Sequence, residues 1–131
     1  MMKNKYGFGK KVPYSFNEAL QKVTAALQTE GFGVLTEIDV AATLKKKLNK
    51  DMPPYRILGA CNPPFAHQVL EIEQSIGLLL PCNVVVRQDA SGSVFVEFMD
   101  PNAMVLLVEN PQINNIAAQV TQRLENVMRA L

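Results

Sequence analysis

Between Tyr55 and Arg87 the chain reads YRILGACNPPFAHQVLEIEQSIGLLLPCNVVVR, and this stretch limits the possible folds more than any other. Strand alternation puts Tyr55, Ile57, Gly59 and Cys61 on one face and Arg56, Leu58 and Ala60 on the other. Gly59 leaves a gap in its face, where something can approach the backbone closely. Asn62-Pro63 then spells a helix start: Asn accepts from unpaired amides, and Pro gives up an N–H that had no partner. Phe65, Val69, Ile72 and Ile76 follow at helical spacing, with His67, Glu71 and Gln74 on the polar side. Gly77 supplies a left-handed residue to end the helix. Leu78 to Pro81 leads into a second strand, Cys82 to Gln88. This strand–helix–strand unit holds both cysteines and the single histidine.

The flanking segments are patterned as plainly. Lys3 to Val12 reads as a first strand interrupted by Gly7 and Gly9. Gly7-Phe8-Gly9-Lys10 has the outline of a phosphate loop but lacks its spacing and follows no strand. Ser15 and Glu18 make a capping box, opening a helix whose stripe is Phe16, Leu20, Val23 and Leu27 and which ends at Gly31. Phe32 to Val40 is a strand in which Val34, Thr36, Ile38 and Val40 share a face, while Glu37 and Asp39 form the solvated side. A short helix from Ala41 to Asn49 exposes Lys45, Lys46 and Lys47, and the prolines after Asp51 make a loop. Val84–Gln88 and Ser93–Phe98 flank a polar turn and form a hairpin. Asp100-Pro101 and Asn110-Pro111 each open a helix. The second is long, with Ile113, Ile116, Val120, Leu124 and Val127 inward.

At 131 residues and 48% hydrophobic composition this is one domain, 1–131, with a core that needs no staples. A formal charge of +1 offers no electrostatic footprint for nucleic acid or an anionic membrane. No apolar run follows the basic N-terminus or is long enough to span a bilayer, so a cytoplasmic setting is expected. The element order does not alternate strictly, which argues against a doubly wound parallel sheet. The expected architecture is α+β: a two-layer sandwich of one twisted, mostly antiparallel sheet with helices on one face. Both strand faces carry apolar residues, such as Leu35, Leu58, Val85 and Phe95. A homodimer is the expected cover for the surplus, and two short helices are the alternative.

The candidate site is Tyr55, Gly59, Cys61, Asn62, His67 and Cys82. Three functions compete for it. The first is a module that binds a small molecule or partner in a pocket lined by Tyr55, Gly59, Phe65 and Met104. The second is a thiol redox enzyme or sensor, with Cys61 as nucleophile at a helix N-terminus and Cys82 resolving it. It requires antiparallel neighbouring strands, and it lacks a Cys-x-x-Cys signature. Against it, a free Cys is most often a small buried hydrophobe. The third is a soft-metal site of Cys61, Cys82 and His67, which supplies at most three ligands. His67 and Glu71 are spaced as a surface i,i+4 pair. No cofactor is indicated, and no Gly-x-Ser-x-Gly motif supports a hydrolase.

Four phrases taken together, GFGVLTEIDV, YRILGACNPPFA, LLLPCNVVV and MDPNAM, resemble the bacterial family called domain of unknown function 302. The resemblance covers nearly the whole chain in the same order. It implies a small, dimeric α+β domain of the TATA-binding-protein fold group. That kinship is architectural and implies no DNA binding. The Cys61-Asn62-Pro63 and Leu80-Pro81-Cys82 phrases match the family, and no catalytic role comes with them.

Overall fold

A computed structural model describes all 131 residues. Six strands form one antiparallel sheet in the order β1-β2-β6-β5-β4-β3. They are β1 (Met2–Lys3), β2 (Gly7–Val12), β3 (Gly33–Asp39), β4 (Tyr55–Cys61), β5 (Cys82–Gln88) and β6 (Val94–Met99). The helices are α1 (Phe16–Thr29), α2 (Val40–Leu48), α3 (Pro63–Ile72), α4 (Pro101–Val105) and α5 (Pro111–Arg129), with a 3-10 helix over Gln74–Leu79. The α+β sandwich is thus as expected, with the helices on one side of the sheet.

One sheet face is closed by the stripes of α1 and α5. Leu58, Val84, Val86, Val96 and Phe98 from the strands meet Val23 and Leu27 of α1 and Ile113, Leu124 and Val127 of α5, all essentially inaccessible to solvent. Burying a side chain of this size is worth about 1.5–3 kcal/mol, so this layer supplies most of the drive to fold. The helix ends follow the sequence. Ser15 Oγ accepts from Glu18 N at 3.2 Å, and Gly31 turns the chain out of α1 at φ +85°. Asp100 and Asn110 accept from the amides of Asn102 and Gln112. The β5–β6 turn is held by Asp89, whose carboxylate accepts from Ser91 Oγ and from the amides of Ser91 and Ser93. The Ser91 hydrogen bond above all holds that carboxyl below its ordinary range.

Several details depart from the sequence reading. The first strand is two, β1 and β2, joined by a tight turn in which Asn4 Oδ1 accepts from Tyr6 N. Gly7 to Lys10 lies wholly within β2, paired to β6, so there is no phosphate loop. The helix after Asn62 stops at Ile72. Ile76 and Gly77 fall in the 3-10 helix, where Gly77 needs no left-handed conformation. β3 carries a bulge between Val34 and Thr36, which puts Leu35 out of alternation. Glu37 and Asp39 are engaged rather than merely solvated, for both pair with Arg56 across the β3–β4 edge. The Glu37 hydrogen bond is the chief cause that raises the Arg56 guanidinium above its ordinary value.

Candidate functional site

The site lies where four strands end together. β4 finishes at Cys61, β5 begins at Cys82 and β6 finishes at Met99, while β3 starts beside Cys61 at Gly33. β4 and β5 are antiparallel neighbours in a register that sets Ala60 opposite Cys82. The two cysteines are therefore one residue out of register at the same rim of the sheet. Both are free thiols, Cys61 half-buried and Cys82 buried.

Beyond this rim the chain leaves a cavity of about 360 Å³. Its floor is the strand ends, with Ala60, Cys61, Cys82 and Met99. One wall is α3, through Phe65, Ala66 and Val69, and the 3-10 helix, through Ile76 and Leu79. The facing wall is α4, through Met104, together with Ile113, Ile116 and Val120 of α5. Thr36 and Asn62 supply the only polar side chains besides the thiols, and no charged residue lines it. The segments that build the walls also carry exposed leucines at Leu78, Leu106 and Leu107.

The candidate residues divide accordingly. Cys61, Asn62 and Cys82 come together in the cavity, joined by Phe65 and Met104. Tyr55 does not, because six strand residues at about 3.3 Å each put it roughly 20 Å away. It borders a different hollow with Phe16, Asp39 and Arg56. Gly59 does not line the cavity either. Its face is covered by the Thr36 side chain and the Pro81 ring, which lie where a Cβ would stand. What approaches the Gly59 backbone is thus this chain's own Thr36. His67 lies on the outer side of α3 with Nε2 3.0 Å from Glu71, both side chains largely exposed. No group of three His, Cys, Asp or Glu side chains is placed to hold a metal ion, so Cys61, Cys82 and His67 do not assemble as a ligand set.

The chemistry of Cys82 is altered by its surroundings. Burial, helped by the nearby Cys61, pushes the Cys82 thiol up to about 11. At neutral pH it is a hydrophobe and not a nucleophile. The helix expected to favour a thiolate at Cys61 has few amides to offer. Pro63 and Pro64 fill its first two positions and have no N–H. Asn62 does stand at the N-cap, but its side chain makes no capping bond. The side chain points to α1 instead, where Nδ2 donates to the Glu30 carbonyl at 3.2 Å and ties α3 to the end of α1. Arg123 of α5 donates to the same carbonyl at 3.1 Å and lies over the Phe65 ring, so one cluster braces the cavity wall.

The cavity residues of the last helix and the 3-10 helix were not foreseen as a site. Ile113, Ile116 and Val120 carry the signature of a core stripe, and a stripe that faces a cavity looks the same in sequence. The available signal was the surplus of apolar residues in Leu78-Leu79-Leu80 and Leu106-Leu107, more than one helix face can bury.

Comparison with known proteins agrees with this architecture. The family described as "Domain of unknown function DUF302" matches residues 8–131. A crystal structure of an uncharacterized conserved DUF302 protein from Bacillus stearothermophilus superposes with a TM-score of 0.89 at 31% identity, covering 95% of this chain and 96% of that one. Fluoride-specific ion channel FluC 1 of Brucella suis is 28% identical over 88 residues, 67% of this chain and 34% of that protein. Fluoride-specific ion channel FluC 2 of Brucella melitensis is also 28% identical over 88 residues, 67% of this chain and 32% of that protein. The chain thus spans about a third of the length of these curated relatives. No helix in it is long and apolar enough to cross a membrane.

Proposed function

The chain belongs to the DUF302 family, a domain of unknown function, and from that premise we propose that it is a binding module for a small apolar ligand. The observation that carries the reading is the cavity of about 360 Å³ at the strand ends. Its size falls in the range of small-molecule sites, and its walls are apolar with a few polar atoms to fix orientation. Channel activity belongs to the longer relatives. Within proteins of that kind, a domain such as this one would serve as an attached ligand-binding unit.

Titration of the full chain with the neutral fluorescent probe N-phenyl-1-naphthylamine tests the reading. Saturable one-to-one binding is expected, weakened about tenfold or more by Ala66→Phe, which fills the cavity from α3. Absence of saturable binding, or binding indifferent to that substitution, would count against it.

A thiol-redox role stands second, supported by the antiparallel register that places Cys61 and Cys82 at one rim. It needs Cys82 to act as a thiolate, and burial opposes that. Mild peroxide should therefore modify Cys61 without forming an intramolecular disulfide. A rapidly formed, reducible Cys61–Cys82 bond would promote this reading to first place.

The proposal also retains a homodimer, formed through the sheet face that carries no helices. Ile57, Val85 and Phe95 on that face are only half-buried in the single chain. Arg87 lies 4.5 Å from the Phe95 ring centre and 2.6 Å from Glu97. Sedimentation should show a dimer that Val85→Glu dissociates. A monomer at every concentration would remove the dimer and leave the cavity untouched.

A further inference from the structure

We propose that the cavity's ligand is a neutral, chain-like molecule with one hydrogen-bond donor at its polar end, of the chemical class of a long-chain alcohol, whose hydroxyl donates to Asn62 Oδ1. This rests on the binding reading above and specifies its ligand. No charged side chain lines the cavity. A carboxylate or ammonium held there would lose its hydration with no counter-charge to replace it.

The orientation of the Asn62 amide follows from its partner. Nδ2 faces the Glu30 main-chain carbonyl at 3.2 Å. A carbonyl only accepts, so the limb turned toward it must be the NH2 group, and the oxygen occupies the other limb. That oxygen receives no capping bond from α3. Asn62 is only 7% exposed and lines the cavity, yet its oxygen is not sealed off as a fully enclosed atom. A ligand that displaces water from this acceptor must bring a donor of its own, or the acceptor is left unpaired in an otherwise apolar wall. A hydroxyl supplies that donor, whereas a ketone or an ester brings only a second acceptor. Thr36, the other polar side chain, is exposed at the bulged edge strand and packs over Gly59.

Calorimetric titration of the full chain at pH 8 with 1-decanol, 2-decanone and decanoate separates the outcomes. The alcohol should bind about tenfold or more tightly than the ketone, and decanoate should bind most weakly. Asn62→Leu should bring alcohol and ketone within about twofold of each other. Should Asn62→Leu fail to fold for want of the Glu30 bond, the order of the three probes on the native chain decides alone. A ketone that equals the alcohol, or decanoate as the tightest probe, would overturn the donor assignment and leave the cavity reading standing. If none of the three probes binds while N-phenyl-1-naphthylamine does, the chain-like alcohol is overturned as the ligand class; if N-phenyl-1-naphthylamine does not bind either, the binding reading itself fails.

Discussion

Cys82 illustrates how position decides what a residue type can do. As the first residue of β5 it faces the helix layer, and burial holds its thiol at about 11 against an ordinary 9.0. Between those values the folded chain keeps a proton that the unfolded chain has released. Stability should therefore fall as pH rises through that window, by up to about 2–3 kcal/mol. Urea melts at several pH values should show this decline in the native chain and a flatter profile for Cys82→Ala; parallel profiles would contradict the burial account. Cys61 differs in access. In the folded chain iodoacetamide should modify Cys61 well before Cys82, and equal rates would show that the rim opens as a unit. Both thiols and Asn62 were legible in sequence as a group. The direction of the Asn62 side chain was not, because an Asn before two prolines reads as a cap, while the partner that holds it, the Glu30 carbonyl, lies 32 residues away in the chain.

At the scale of elements, the long helices were legible and the irregular segments were not. The stripes of α1 and α5 recur every three to four residues and leave one solution. The bulge at Leu35 and the 3-10 helix after Ile72 have no periodic signature, since each is set by how a neighbour packs. Gly59 shows this coupling between strands. Its missing Cβ admits the Thr36 side chain from β3 and the Pro81 ring leading into β5. Gly59→Ala should cost about 1–3 kcal/mol by overpacking. Thr36→Ala in the same chain should recover part of that loss, because it removes one of the two groups in the way. Denaturant unfolding of the two single variants and the double variant measures the coupling; strict additivity would show that Thr36 is not the obstacle.

For the molecule as a whole, the sheet order matters most, because it gathers the ends of β4 and β6 and the beginnings of β3 and β5 at one rim. Sequence supplied the strands but not their order, and only the order brings Cys61 and Cys82 together, whereas Tyr55 lies at the far end because it opens the strand that Cys61 closes. The account stands on an apolar cavity at that rim taking up a ligand. The most direct measurement is a methyl NMR titration of isoleucine-labelled protein with N-phenyl-1-naphthylamine. Ile76, Ile113 and Ile116 line the cavity, whereas Ile38 and Ile57 do not. Saturable shifts at the first three with the other two unmoved are the expected result; shifts centred on Ile38 and Ile57, or none at all, would contradict it.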